Sequence, residues 1–296
     1  MSTQLCSFTI GREVELKGLL TFYKRDTPIL VTGKSGLGKT HLLRQFMAAL
    51  VRQKLPAIYL DRLWPFKPAL LTLCSSLRVL TDKDLSRLKR LTVPELTQET
   101  LSLLKEQAKR RKLLVILDRL EDAPASAADF LLQVSSLTLV FGAAQYVKRT
   151  RVLRRFFWQF ELLELMPLVK SEALTLAERL VNERNLQLAD PAFFLNQVVS
   201  HANGVPLAII ETITRLPTNQ PVSRSQIREL FLHGSGVRQI DGTPLIILVF
   251  CLFIALRFIA RGFSDYQAYA MFGALGAGGL FIRYLIFRQY FRRQAR

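Results

Sequence analysis

The sequence predicts an α/β fold: a parallel sheet with helices on both faces built around a P-loop, then a small helical lid, then two transmembrane helices. Three observations carry this. Residues 33–40 read GKSGLGKT, a complete GxxxxGK[ST] phosphate-binding loop. Apolar strand-like runs alternate with helical patterns over the first 242 residues, and two long apolar stretches close the chain. Strand and helix alternate in this way when each parallel strand needs a helical crossover that packs back onto the sheet.

The loop has the context its chemistry requires. The apolar run Pro28-Ile29-Leu30-Val31 precedes it, and the helical pattern His41-Leu42-Leu43-Arg44-Gln45-Phe46 follows it. Gly33, Gly36 and Gly38 let backbone N–H groups curl around a phosphate, with Lys34, Ser35 and Leu37 completing the cradle. The helix that starts at Lys39 and runs through His41 adds partial positive charge where the anion sits. Lys39 then reaches the β- and γ-phosphates, and the Thr40 hydroxyl ligates Mg²⁺. The chain is therefore expected to bind a nucleoside triphosphate.

Further strands are expected at Ala57 to Leu60, Leu113 to Leu117 and Thr138 to Phe141, beside the first at Ile29 to Thr32. Two helices, about Lys67 to Leu80 and Pro94 to Arg111, fill the gap between the second and third strands. The third strand ends in Asp118, an acid placed to meet the metal and γ-phosphate at the sheet's C-terminal edge. The next position, where ATPases of this kind place an acid that activates water, is Arg119. Glu121 or Asp122 is the candidate to bend back and serve, with a solvent-facing place at a helix start the competing reading. That departure leaves slow hydrolysis, or nucleotide binding used mainly as a switch, open beside ordinary turnover. The run Lys109-Arg110-Arg111-Lys112 suits the negative C-terminal end of its helix.

After Pro167 the strand pattern stops. Ser171 to Asn185, Pro191 to Ala202 and Pro206 to Leu216 read as three helices, with Asp190 as N-cap and Pro191 in the first turn. The expected division is an α/β core over 1–166, a helical lid over 167–216, a linker over 217–242 and a hairpin with a basic tail over 243–296.

That hairpin joins Pro244 to Ala260, 17 residues, and Tyr266 to Phe287, 22 residues, through a five-residue link. At about 1.5 Å per residue both approach the length of a bilayer's hydrocarbon core. Arg257 and Arg283 lie near the ends of their stretches, where they can snorkel. Ala270, Ala274 and Gly278 form a small-xxx-small row suited to close helix approach in lipid. The tail from Arg288 to Arg296 is basic and aromatic, as a cytoplasmic juxtamembrane anchor is. The expectation is a multi-pass cell-membrane protein with its N-terminal ATPase domain in the cytoplasm. The N-terminus lacks the pattern of a cleavable signal.

With these pieces placed, the chain resembles the STAND and AAA+ class of P-loop ATPases across roughly residues 7 to 216. Phe8-Thr9-Ile10-Gly11-Arg12-Glu13-Val14-Glu15-Leu16 is similar to the hhGRExEL segment that packs by the adenine, which implicates Gly11 and Arg12. Residues 33–40 and Leu114 to Asp118 match the Walker A and Walker B elements. Glu161 to Leu168, and then Gly204-Val205-Pro206-Leu207-Ala208, are similar to the LxPL and GxP landmarks of the lid, where the proline, here Pro206, abuts the nucleotide. The resemblance implies ATP and Mg²⁺ as cofactors. It departs from the pattern after the fourth strand, where only Gln145 offers a polar sensor, and no winged-helix or repeat domain follows the lid. The basic run Lys148 to Phe156 matches the region where ring-forming relatives present an arginine finger to a neighbour, which points to Arg154 or Arg155 within a homo-oligomer. A solvated basic face is the alternative for each arginine.

Charge leaves the partner open. The net charge of +18 falls as +12 on the first 242 residues and +6 on the remainder. One reading is a membrane-anchored regulatory or signalling ATPase at an anionic leaflet, working with an unidentified protein partner. Another is a DNA-associated ATPase of the origin, transposition or plasmid-maintenance kind, and a third is a non-hydrolysing, nucleotide-gated scaffold or effector. Lipid explains the positive charge as well as nucleic acid does, and the first reading is favoured. Three scattered cysteines and three scattered histidines fit neither a disulfide framework nor a metal site.

Overall fold

The computed structural model describes residues 10–78, 81–110, 112–146 and 151–216, together with isolated positions between 252 and 271. The chain divides into two compact units, Met1–Phe231 and Leu232–Arg296.

The first unit opens with α1 (Glu13–Lys24), β1 (Ile29–Thr32) and α2 (Lys39–Arg52), then β2 (Ala57–Leu60). Three helices follow: α3 (Phe66–Leu77), α4 (Asp82–Arg90) and α5 (Val93–Arg110). They lead to β3 (Leu114–Leu117), a 3₁₀ turn at Leu120–Asp122, α6 (Ala128–Leu137) and β4 (Leu139–Ala144). The short α7 (Arg151–Phe157) and β5 (Glu161–Glu164) complete the sheet, and α8 (Lys170–Glu183), α9 (Pro191–Ala202) and α10 (Pro206–Thr214) form the lid.

The sheet is five-stranded and parallel throughout, in the order β2-β3-β4-β1-β5. All four residues of β3 are buried, as a strand covered on both faces must be. Alternation along the strands feeds two separate cores. Ile29, Val31, Leu114, Ile116 and Phe141 face α1 and α2, where they meet Leu19, Leu42, Leu43 and Phe46. Leu30, Val115, Leu117 and Val140 face the other side and pack with α3, α5, α6 and α7. The lid has its own core, from Leu176 and Leu180 of α8 through Phe194 and Val198 of α9 to Ile209 and Ile213 of α10.

The four expected strands are present, with β4 extending three residues beyond the expected end at Phe141. The fifth was not expected as a strand. Glu161-Leu-Leu-Glu lies at the sheet's edge, pairs only with β1 and leaves Glu161, Leu162 and Glu164 exposed, so it has neither the apolar run nor the clean alternation that marks a covered strand. Helix α4 leaves no apolar period in the sequence, because its nine residues have only one buried side chain, Leu88. A capping box starts it instead: the Thr81 hydroxyl accepts from the Asp84 N–H, and the Asp84 carboxylate accepts from the Thr81 N–H at 3.1 Å. The three lid helices lie where expected, and the Asp190 carboxylate caps α9 by accepting from the Phe193 N–H at 3.0 Å.

In the second unit, the described positions are helical, and Leu252, Ile254, Phe258, Ile259 and Met271 are exposed. Among the described residues no helix is long and apolar enough to cross a membrane. The two expected spans, the linker and the basic tail lie almost wholly outside the described residues.

Candidate nucleotide site

The site forms at the C-terminal edge of the sheet, where β1 sits between β4 and β5 and its loop opens toward the lid. Open α/β sheets bind ligands at this kind of crevice. The loop of residues 33–40 leaves β1 and enters α2 through Gly38. Stacking of Phe46 on Phe141, with centroids 5.4 Å apart and planes 11° from parallel, locks α2 against β4 and so fixes the direction of its first turn.

Lys39 begins α2, and its ammonium donates to the Gly33 and Lys34 carbonyls at 2.7 and 3.0 Å. Burial pushes its pKa down, and the carboxylates of Glu121 and then Asp118 push it back up. Both carboxylates thus act on the Lys39 ammonium. Thr40 and His41 occupy the same first turn and are half-buried, whereas Lys34 and Ser35 are exposed at the loop's tip.

Asp118 is 1% exposed, one of few buried charged groups among the described residues. It continues the Leu114, Ile116 alternation, which turns it toward α2 and the loop. Its Oδ1 accepts from the Arg119 N–H at 2.8 Å and its Oδ2 from the Tyr59 hydroxyl at 2.8 Å. Arg119 has a left-handed backbone, φ 52°, and an exposed side chain. This uncommon conformation for a non-glycine residue turns the chain sharply into the 3₁₀ segment. Leu120 is thereby buried, Glu121 is half-buried and Asp122 is exposed.

Gly142 makes that turn fit. A Cβ there would come within 2.5 Å of Leu120 Cδ1 and 3.0 Å of Leu30 Cδ1, so a larger residue would push the Leu120 side chain off β4. Glu121 Oε2 then accepts from the Gln145 N–H at 3.1 Å, just past the end of β4. Of the two candidate acids, Glu121 is half-buried and tied to the end of β4, and Asp122 is exposed. At Gln145 the described link to Glu121 is through the backbone amide.

The lid closes on the loop from the other side. The Leu207 N–H, in the first turn of α10, donates to the Gly36 carbonyl at 3.2 Å. Gly36 has φ +82°, and a Cβ there would lie 3.0 Å from both Leu207 Cβ and Val205 Cγ1. Pro206, between them, is the first residue of α10 and is half-buried. Arg12 ties the seam together. It is 7% exposed, and its guanidinium donates to Glu15 Oε1 at 2.8 Å, the Met166 carbonyl at 2.6 Å and the Leu37 carbonyl at 3.3 Å. Its role is thus to join the segment before α1, the phosphate loop and the strand-to-lid connection. Gly11 backs onto the Glu172 side chain of α8.

Arg154 and Arg155 lie on α7, away from these contacts and exposed, and the Arg154 guanidinium stands 5.5 Å from the centroid of the Trp158 ring. Lys148 to Thr150 lie outside the described residues. Lys112, expected to serve the end of α5, reaches instead to the Tyr23 carbonyl at 2.8 Å and pairs with Asp26.

The donor set fits a small hard cation. Asp118 offers a buried carboxylate whose oxygens each accept one described hydrogen bond and keep further lone pairs, and Thr40 offers a hydroxyl. Mg²⁺ is commonly held by one or two protein oxygens with phosphate and water completing its shell. No cluster of three or more His, Cys, Asp or Glu side chains suited to a metal exists among the described residues.

Comparison with known proteins agrees with this geometry. Residues 10–151 match the ATPase_2 family, an ATPase domain predominantly from Archaea. The fold is similar to that of the Walker-type ATPase PABY2304 of Pyrococcus abyssi, at 18% identity and a TM-score of 0.51, over 90% of this chain and 84% of that one. It is also similar to domain III of the Thermotoga maritima replication initiation protein DnaA, at 16% identity and a TM-score of 0.52, over 76% of this chain and 93% of that one. No curated protein matches the sequence. Over residues 10–151 the chain is thus similar to an ATPase domain, and its fold is a parallel α/β sheet carrying a phosphate-binding loop.

Proposed function

We propose that this chain is a membrane-anchored, Mg²⁺-dependent ATPase of the STAND/AAA+ type that works as a regulatory or signalling switch through nucleotide-dependent oligomerisation. The observation that carries the ATPase reading is the convergence of Lys39, Asp118 and Glu121 at one end of the sheet, with Glu121 tethered to β4. In this reading the loop amides and Lys39 bind the phosphates, and Thr40 and Asp118 hold Mg²⁺, which supplies charge neutralisation on the phosphate oxygens. Glu121 accepts the proton of the attacking water. The contact between Gly36 and α10 makes the lid sensitive to what the loop holds, which is the mechanical basis of a switch.

Membrane attachment rests on the two apolar stretches after residue 243 and on the exposed apolar helical positions among them. Oligomerisation rests on the exposed arginines of α7 and on the absence of an arginine from the described contacts of the phosphate loop other than Arg12, whose guanidinium is committed to backbone carbonyls.

The test is ATP binding and turnover by the purified full chain in lipid vesicles. Mg²⁺-dependent turnover that is lost in Lys39→Ala and stimulated by anionic lipid supports the reading. Turnover indifferent to lipid, together with nucleic-acid binding that falls steeply with salt, supports the DNA-associated alternative instead.

A further inference from the structure

The sheet places one group against Asp118 that the sequence does not advertise. Tyr59, on β2, pairs in register with Ile116, and the ladder runs on to an Asp118 N–H that donates to the Leu60 carbonyl at 2.9 Å. This registry fixes the two side chains on the α2 face of the sheet, where the Tyr59 ring packs into the core beneath α2. Its hydroxyl donates to Asp118 Oδ2 at 2.8 Å.

Arg44 of α2 braces the ring from outside, with its guanidinium 5.8 Å from the ring centroid and 3.1 Å from Asp61 Oδ1, the residue just past β2. We propose that Tyr59 is a positioning residue for the Mg²⁺ site, holding the Asp118 carboxylate so that its remaining lone pairs face the metal. The inference rests on the nucleotide reading above.

The physical logic is that of the outer shell of a metal site. A carboxylate buried at the end of a strand rotates about its χ angles unless a donor fixes it, and each misoriented state lowers the fraction of protein ready to bind metal. The Arg119 N–H fixes Oδ1 from the backbone, and Tyr59 fixes Oδ2 from the neighbouring strand. A phenol is a donor at neutral pH, and at 2.8 Å the Tyr59 hydroxyl is within hydrogen-bond reach of Asp118 Oδ2. A phenol suits the position because its rigid ring fills the space under α2 while its single hydroxyl reaches the carboxylate.

Tyr59→Phe keeps the ring and removes only the donor. The measurement is binding of a fluorescent ATP analogue to the full chain in detergent, first in EDTA and then across a Mg²⁺ titration. The expected result is an unchanged affinity in EDTA and a half-saturating Mg²⁺ concentration raised on the order of 10-fold, within the range for outer-shell substitutions. A variant with some general loss of packing would lose affinity in EDTA as well, so that result overturns the assignment. A Mg²⁺ curve that coincides with wild type, or lies at lower concentration, overturns it too, since Tyr59 would then be neutral or a competitor of the metal. If wild type itself binds the analogue equally with and without Mg²⁺, the metal-site reading fails along with the inference.

Discussion

At the scale of single residues, the acid that follows the third strand decides what the site can do. Arg119 stands where an acid is expected, yet its left-handed backbone and the packing of Leu120 on Gly142 bring Glu121 to the Gln145 N–H at the end of β4. The two acidic neighbours therefore separate in their expected effects. Glu121→Gln is predicted to retain ATP binding and to lose on the order of 10² or more in turnover, a general-base-sized loss. Asp122→Asn, altering an exposed side chain, is predicted to stay near wild type. Lys39→Ala is predicted to abolish nucleotide binding or turnover, and Asp118→Ala to impair the Mg²⁺-dependent steps. Steady-state turnover beside equilibrium nucleotide binding checks all four variants, and equal losses at Glu121 and Asp122 would remove the distinction.

At the scale of elements, legibility in the sequence followed burial. Strands β1 to β4 and the lid helices lay in apolar runs or carried proline and aspartate signals, and they are where those signals put them. The edge strand β5 and the polar helix α4 are held by pairing to β1 and by a capping box, neither of which leaves an apolar period to read. The phosphate loop and Asp118 were legible because local spacing defines them. Tyr59 and Gly142 were not, since their partners lie on other strands and only the register brings them together.

Two element-scale predictions follow from the packing and the caps. Phe46 is fully buried and stacked on Phe141, so Phe46→Ala is expected to destabilise the domain by about 3–5 kcal/mol and to loosen the helix that carries Lys39, as urea denaturation would show. The Thr81 hydroxyl and then its N–H hold Asp84 below its ordinary value of 3.8, and the Thr92 N–H and then its hydroxyl hold Glu95 below its ordinary 4.5. Depressed carboxylate values favour folding above those ordinary values, and the benefit is lost as pH falls from them toward the lower folded values. Helix content followed by circular dichroism should therefore drop on acidification below about pH 4.5 with a smaller acid-dependent change in Thr81→Ala/Thr92→Ala. An identical acid response in that variant would show that these caps do not contribute.

At the scale of the whole molecule, the phosphate loop and the long apolar stretches lie in different parts of the chain. The described elements that form the candidate site lie before residue 217, and both long apolar stretches lie after 243. The full chain is accordingly expected to require detergent for extraction, whereas a chain truncated at Gly236 is expected to remain in solution without it and to bind ATP with Mg²⁺. Fractionation and nucleotide binding on the two forms check this, and a full chain recovered monodisperse without detergent would remove the membrane reading. The proposed switch requires protomers that meet around the nucleotide, with Arg154 or Arg155 of α7, both exposed, as the arginine supplied in trans. An arginine contributed in trans can be worth roughly 10³-fold or more in turnover. The most direct test mixes an Arg154→Ala/Arg155→Ala variant, with an intact site and no finger, with an Asp118→Ala variant, with an intact finger and no metal ligand. ATP turnover is predicted to return in the mixture well above the sum of the two separate proteins, while a mixture that gives only that sum would contradict the trans-acting arginine and the nucleotide-driven assembly built on it.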